Sequence, residues 1–232
     1  MSRAGQIART LGVLALALVA MPAAQAQMLD RGWYFELGLG KSSFKDVSTA
    51  GLDGLTRDFF DSFELPVQTL ASTRDDYERS YALVSGYRFS PYFAFEAGLF
   101  RLGAVQYAAS GTVNDAGTPL PASFNFSYRG KGVLVGGTAT LPLGEYFELR
   151  GRAGITNSET RVRYFANVNG ASVSDQFSES SQDFYYGAGV GLWIGQYYRI
   201  GADYMHHDGF GKASGNGSTD VDNLLVSISF QY

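Results

Sequence analysis

Side chains in this sequence alternate with a period of two residues, and this alternation restricts the fold more than any other feature. In the stretch that follows residue 146, the apolar residues Leu149 and Ile155 share one set of positions, whereas Glu148, Arg150 and Arg152 share the other. A period of two places such sets on opposite faces of a β-strand. We therefore predict eight strands, at about 33–39, 81–89, 93–101, 124–141, 146–164, 183–194, 199–206 and 221–232.

The composition of the chain agrees with strands and tight turns. The 232 residues include 29 glycines, 17 phenylalanines and 15 tyrosines, with only 6 prolines. Aromatic residues favour strands, and glycine favours turns. The chain has no cysteine, which excludes a disulfide framework, a thiol nucleophile and a thiolate metal site. The sequence predicts an all-β protein.

The N-terminus has the features of a secretory signal peptide. Arg3 and Arg9 precede an uncharged apolar stretch at 11–21, and Ala-Gln-Ala at 24–26 fits a small-residue cleavage site. An uncleaved anchor helix is the alternative, but the apolar stretch is shorter than the roughly 20 residues that span a membrane. We predict that residues 1–26 are a signal peptide.

The remaining residues, 27–232, form a single predicted β-barrel domain. Removal of the two arginines of the signal leaves 18 − 2 = 16 basic residues against 22 acidic ones, a net charge of −6. This acidic balance argues against a nucleic-acid partner.

The polarity of the two strand faces decides between barrel types. One face is uniformly apolar, and the other mixes glycine with charged residues. A soluble sandwich or lipocalin-like barrel, which is the alternative, turns its polar face outward, whereas a barrel in hydrocarbon turns it inward. We predict an eight-stranded antiparallel up-and-down transmembrane β-barrel. Its lumenal charge network is predicted to comprise Glu36, Arg88, Glu96, Glu148, Arg150, Arg152 and Asp203.

The predicted connections alternate between short and long. Short ones fall at 90–92, 142–145 and 195–198, and long ones at about 41–78, 103–123, 165–182 and 207–220. Short turns at one end and long loops at the other are the layout of bacterial outer-membrane barrels. The acidic segments at 53–64 and 73–80 are predicted to be solvated loop, with one short helical turn around 59–63; a divalent-cation or partner site is the alternative.

Four segments carry a family resemblance. "GYRFSPYFAFEAGLFRLG" at 86–103 resembles the second hairpin of the OmpA-like barrels, with its Ser-Pro turn and lumenal glutamate. Residues 132–154 resemble that family's middle hairpin, 201–207 its seventh strand and 220–232 its C-terminal strand. The resemblance implies a barrel-only member, without a peptidoglycan-binding domain.

The resemblance transfers only part of the family's lumenal gate. Glu96 matches the lumenal glutamate of the family, and Arg152 matches a lumenal arginine of the fifth strand. Thr138 occupies the place of the family's lysine, and the other gate positions fall near Gly191 and Gly201. The identity of the gate residues is therefore changed.

A catalytic site is not expected. The two histidines, His206 and His207, are followed by Asp208, whereas the lipid A deacylase barrels have His-x-Ser-Asn there. Adjacent residues on a strand also point to opposite faces, so the two imidazoles cannot act at one centre. We predict no catalytic residue, no cofactor and no metal site.

Basic residues cluster near the predicted outer ends of strands three to five. Arginine suits bidentate contact with phosphate, so this cluster predicts contact with lipopolysaccharide, the alternative being side chains that project into water. The residues are Arg101, Arg129, Lys131, Arg161 and Arg163.

The expected role is structural or interactive. The resemblance implies a monomer in the outer membrane that contacts lipopolysaccharide, displays surface loops and does no catalysis. Ile228, Phe230 and Tyr232 share one face of the last strand and resemble the C-terminal signal bound by the barrel-assembly machinery. A small channel or hydrophobic-solute carrier of the OmpW type is the main alternative, and a lipid A-modifying enzyme is the third.

Overall fold

The computed structural model describes residues 31–45, 47–75, 79–210 and 219–232. Nine strands and one helix are present in this part of the chain. They are β1 (Gly32–Phe44), α1 (Thr49–Asp61), β2 (Val67–Asp75), β3 (Arg79–Ser90), β4 (Phe93–Asp115), β5 (Thr118–Leu143), β6 (Phe147–Val168), β7 (Ala171–Ile194), β8 (Tyr198–Phe210) and β9 (Thr219–Gln231). The predicted signal peptide lies outside the described residues.

Eight of the strands form a closed antiparallel ring. Each strand from β3 to β9 pairs with the next, and β1 pairs with β3 on one side and with β9 on the other. The seam joins the two ends of the chain, where Tyr34 opposes Gln231. The predicted eight-stranded, up-and-down, all-β architecture is confirmed. Among the described residues, no helix has the length and apolar character needed to cross a membrane.

The alternation seen in the sequence sorts side chains between the two faces of the ring. Phe95 and Leu149 are 67% and 42% exposed on the outside, whereas the neighbouring Glu96 and Glu148 are buried on the inside. The outer face is apolar around the whole ring, with exposed aromatic or aliphatic residues on every barrel strand. This polarity is the reverse of that in a soluble barrel.

Strands β4–β7 are longer than the sequence predicts. The segments 103–123 and 165–182, predicted as long loops, are continuous strands joined by two-residue turns at Ala116-Gly117 and Asn169-Gly170. All four turn residues have positive φ, the conformation of the tight turn that matches strand twist. The loop prediction is wrong here because both segments remain strands, whose side chains alternate between the two faces of the sheet up to each turn.

The ninth strand, β2, was not predicted and lies outside the ring. It pairs with the part of β4 that has passed beyond β3, over Gln106–Val113. Together with the parts of β4–β7 that project beyond the ring, β2 makes a five-stranded sheet, which we call the extension.

Helix α1 packs on the inner face of the extension. It begins after Ser48, whose hydroxyl accepts a hydrogen bond from the Gly51 amide at 3.0 Å, and it buries Leu52, Thr56 and Phe60, four residues apart. Leu52 and Phe60 join a cluster with Tyr107, Ala109, Val113, Phe124 and Ala166 of the sheet. The segment predicted as solvated loop with one helical turn is therefore a three-turn helix with its own core.

Candidate functional site

The interior of the ring contains a layer of buried ion pairs. All seven charged residues predicted to be lumenal point inward and are buried. The structure adds two more, Arg199 and Asp183, which are 1% and 5% exposed. The Asp183 carboxylate accepts hydrogen bonds from the Ser158 and Ser181 hydroxyls. The layer of ion pairs contains four carboxylates and four guanidinium groups: Glu36, Glu96, Glu148 and Asp203 against Arg88, Arg150, Arg152 and Arg199.

Glu36 is the centre of this layer. Its carboxylate accepts Arg150 Nη1 at 2.7 Å and Arg152 Nη2 at 2.9 Å, and it lies 3.5 Å from Arg199 Nη1. The Ser229 hydroxyl donates a further hydrogen bond at 2.9 Å. Arg150 Nη2 also donates to both oxygens of Asp203, at 2.9 and 3.0 Å. One guanidinium therefore bridges two carboxylates through separate nitrogens, and these charge-assisted contacts specify the centre of the interior tightly.

Arg199 and Arg88 meet Glu148 toward the short-turn end of the ring. Arg199 Nε donates to Glu148, Arg88 Nη2 lies 4.0 Å from it, and Trp193 Nε1 donates to it at 2.9 Å. A Cβ at Gly191 or Gly201 would overlap the Arg199 guanidinium. The two gate positions that hold glycine in this sequence therefore make the space that the arginine occupies.

From the lumenal charges in the sequence, Arg88 and Arg152 are the first predicted partners of Glu96, and the structure places only Arg152 beside it. Its carboxylate accepts hydrogen bonds from Tyr185 at 2.9 Å and Tyr34 at 3.4 Å, and Arg152 Nε lies 3.8 Å away. The expectation that Arg88 is also a first partner is wrong, because Arg88 is placed beside Glu148 instead. Strand alternation gives the face of a side chain but not its height along the ring.

An apolar layer lies beside the ionic one, toward the extension. Its members pack as one buried cluster that includes Phe100, Leu102, Leu134, Met205 and Phe210. His207 is fully buried against this layer, with its ring 5.1 Å from that of Phe100. The interior is thus filled by side chains of two kinds, as expected for an eight-stranded barrel.

The two histidines do not share a centre. His206 Nδ1 lies 2.7 Å from Asp222, and its ring packs 5.0 Å from Tyr186, while His207 is enclosed by aromatic rings. Among the described residues, no group of three or more histidine, cysteine, aspartate or glutamate side chains is arranged to hold a metal ion.

The five basic residues of the predicted lipopolysaccharide contact lie together on the outer face, and we call them the basic patch. Arg101 opposes Lys131 across β4 and β5, Arg129 opposes Arg161 across β5 and β6, and Arg163 follows two residues later. Glu159 is set among them, 3.1 Å from Lys131 and 3.2 Å from Arg161.

Two further cations, which were not predicted from the sequence, flank the basic patch. Lys41 and Arg79 are register partners on β1 and β3, on the outer face and one step beyond Tyr81, which opposes Arg101. Each lies two residues from an outward residue, Leu39 or Tyr81, so the sequence was sufficient to predict that both face outward.

An apolar groove adjoins the basic patch. It has a volume of about 690 Å³, and Leu37, Leu83, Leu99 and Val133 form its floor. Arg101, Lys131 and Glu159 line the same groove. Cationic side chains thus border a surface suited to hydrocarbon.

The last strand presents its three predicted signal residues outward. Ile228, Phe230 and Tyr232 are 52%, 40% and 57% exposed. The Tyr232 ring stacks 6.3 Å from Phe35 of β1 and 6.1 Å from Phe230. The contact between Phe35 and Tyr232 lies across the seam of the ring.

Comparison with known proteins gives one family match. The family described as "Outer membrane protein beta-barrel domain" matches residues 11–232. A search of curated proteins finds no match.

Several solved structures are similar to this chain at low identity. Ail, the attachment invasion locus protein of Yersinia pestis, is 14% identical over 88% of this chain and 100% of that one, with a TM-score of 0.48. The N-terminal β-barrel domain of OprF from Pseudomonas aeruginosa is 9% identical over 88% and 100%, with a TM-score of 0.44. OprG from the same organism is 13% identical over 90% and 99%, with a TM-score of 0.43.

Proposed function

This chain belongs to the outer membrane protein β-barrel domain family, and from that premise we propose that it is a plugged, non-catalytic barrel whose outer surface binds lipopolysaccharide. The match confirms the predicted family and the outer-membrane location. The specific role below is our proposal.

The topology assigns the two ends of the barrel. Outer-membrane barrels have short turns on the periplasmic side and longer elements outside. The turns at 91–92 and 195–197 lie at one end, together with residues 31 and 232. The extension lies at the other end. We therefore assign the extension to the cell surface and the basic patch to the outer leaflet boundary.

The basic patch beside the apolar groove is the observation that carries the proposal. Lipopolysaccharide combines phosphate groups with acyl chains. Arg101 and Lys131 line the groove and supply charge for the phosphates, while Leu83, Leu99 and Val133 supply a surface for a chain. A scattered set of cations that only project into water would not need an apolar floor between them.

The interior favours a structural role over a channel. Four of the five buried acids form ion pairs with four buried arginines, the fifth, Asp183, accepts hydrogen bonds from two serine hydroxyls, and an apolar layer follows. A selective ion pore carries an excess of one charge along a wet path. This arrangement supports a closed plug rather than the alternative of a channel or an OmpW-type carrier.

The surroundings of the histidines support the absence of catalysis. A hydrolytic centre needs a base within hydrogen-bond reach of a nucleophile. His206 is paired with Asp222, and His207 is sealed among Phe100, Tyr185 and Phe210. A lipid A-modifying activity has no support from this geometry.

Charge reversal at the basic patch tests the proposal. Arg101→Glu and Lys131→Glu each remove one charge-assisted contact, worth about 1.5–3 kcal/mol, so each should weaken lipopolysaccharide binding about tenfold or more. Binding is measured on the refolded full chain in phospholipid nanodiscs that contain labelled lipopolysaccharide. Arg57→Glu, on the exposed side of α1, is the matched control.

Two outcomes would contradict the proposal. One is wild-type affinity in both patch variants. The other is an equal loss in Arg57→Glu, which would point to net charge rather than to a site.

A further inference from the structure

We propose that a second groove, on the outer face of the extension, binds a neutral oligosaccharide. This inference goes beyond the proposed function, because it concerns a groove that shares only Arg163 with the basic patch and a ligand without phosphate. It would stand or fall separately from lipopolysaccharide binding at the basic patch.

The groove runs across the strands of the extension. It has a volume of about 770 Å³, within the range of about 300–1,000 Å³ typical of small-molecule sites. Two adjacent rows of outward side chains line it. The first row is Gln106, Ser127, Arg163 and Gln176, and the second is Ala108, Asn125, Phe165 and Ser174. Four strands spaced about 4.8 Å apart make the groove about 14 Å long, enough for more than one sugar ring.

The lining has the chemistry that a sugar requires. A hydroxyl group both donates and accepts hydrogen bonds, and so do the amides of Gln106, Asn125 and Gln176. A sugar ring also has an apolar face, and Phe165 offers it a flat ring that is 42% exposed in the middle of the polar row. A lipid-facing surface or a hydrophobic core would contain mainly apolar side chains. This groove instead has one exposed aromatic ring among amides and hydroxyls.

Charge excludes the other polar ligand classes. Of the charged residues that line the groove, Asp75 and Arg163 lie in the outward row, and Arg74 and Asp175 lie in the alternate, inward row. Each pair sums to zero. An anion such as a nucleic acid or a sulfated chain needs a positive excess. The groove therefore differs from the basic patch, where five cations surround one acid.

A peptide strand does not fit this groove either. A peptide that extends a sheet pairs with a free strand edge. Phe165 and Asn125 lie on strands that are paired on both sides, and the groove crosses the strands instead of following them. The remaining class is a neutral polyol chain, either the sugar part of lipopolysaccharide or a glycan from outside the cell.

Two variants and one matched control test the inference. Phe165→Ala and Asn125→Ala should each weaken oligosaccharide binding about tenfold. Phe177→Ala is the control, since Phe177 is on the same sheet and 46% exposed, but on the inner face. Arg101→Glu, which tests the basic patch, should leave this binding unchanged.

The measurement is isothermal titration calorimetry on the refolded full chain in detergent. One arm uses the delipidated, dephosphorylated core oligosaccharide of a lipopolysaccharide, and the other uses neutral glucose and N-acetylglucosamine oligomers. Binding in either arm that Phe165→Ala weakens supports the inference, and the arm that binds identifies the source.

Two results would overturn it. They are the absence of binding in both arms at millimolar concentration, and an equal loss of binding in Phe177→Ala.

Discussion

Neutralising Glu36 should destabilise the barrel more than any exposed charge change. Glu36→Gln keeps the shape of the side chain but removes the charge that Arg150, Arg152 and Arg199 share. The layer of ion pairs would then hold four guanidinium groups against three carboxylates. Removing one partner of a buried ion pair costs about 3–5 kcal/mol. We expect the free energy of unfolding to fall by that amount.

The same substitution at Glu159 is the matched control. Glu159 also contacts two cations, Lys131 and Arg161, but on the solvent-accessible outer face. Exposed ion pairs contribute about 0.2–1 kcal/mol. Glu159→Gln should therefore change the unfolding free energy far less than Glu36→Gln does.

A double variant separates charge balance from the loss of contacts. Glu36→Gln combined with Arg152→Met leaves three acids and three arginines in the layer of ion pairs. If an unbalanced charge is the cause, the double variant should be more stable than Glu36→Gln, with a coupling energy of about 1 kcal/mol or more. If the contacts act independently, the losses should add.

Urea unfolding in phospholipid vesicles, followed by tryptophan fluorescence, measures wild type, the double variant and the three single variants Glu36→Gln, Arg152→Met and Glu159→Gln. Planar-bilayer conductance of wild type and Glu36→Gln adds a second measurement, because an unbalanced interior should admit water and small ions. Equal losses in Glu36→Gln and Glu159→Gln would refute the ionic plug, and so would large, stable channels in the wild type.

Three further predictions concern other parts of the chain. Leu149→Arg puts a charge on the lipid-facing side and should cost about 2–4 kcal/mol near the bilayer midplane, measured by the same unfolding assay, whereas Glu145→Arg in a short turn should cost little. Deletion of Phe230–Tyr232 should abolish outer-membrane insertion but leave export intact; normal levels of heat-modifiable protein in that membrane would contradict this. The Tyr107 hydroxyl donates a 2.6 Å hydrogen bond that lowers the pKa of Asp53. A lowered pKa stabilises the folded state above the ordinary aspartate pKa, and this stabilisation is lost as the pH falls below about 4. Proteolysis of α1 should therefore accelerate at acid pH in wild type but not in Asp53→Asn.

The sequence predicted the barrel well because alternation is a local property. The pattern within a single strand shows which residues share a face. The inward direction of Glu36, Arg150 and Asp203 could therefore be predicted without knowledge of their partners. Arg199 has the same parity as Asp203 and was missed because it follows a turn directly. The pairing of Glu36 with Arg152 was not predictable, since it depends on the stagger of strands distant in sequence.

The extension was missed for a different reason. Asn169-Gly170 is a strong hairpin signal, and Ala116-Gly117 is a weaker one. Polar residues around both turns resembled loops, because the outer face of the extension has no apolar pattern. Helix α1 was missed for the same reason, because its buried residues Leu52 and Phe60 pack against the extension.

The pairing of the first strand with the last sets the order of events in folding. Glu36 pairs with Ser229 across almost the whole chain, whereas every other barrel pairing joins segments close in sequence. Local hairpins lose little chain entropy, so they can form early, and the β1–β9 seam must wait for the last residues. Until then both edge strands expose unpaired amides, which hydrocarbon cannot satisfy. Pairing of β1 with β9 is therefore the step after which the sheet has no unpaired edge and can be stable in the bilayer.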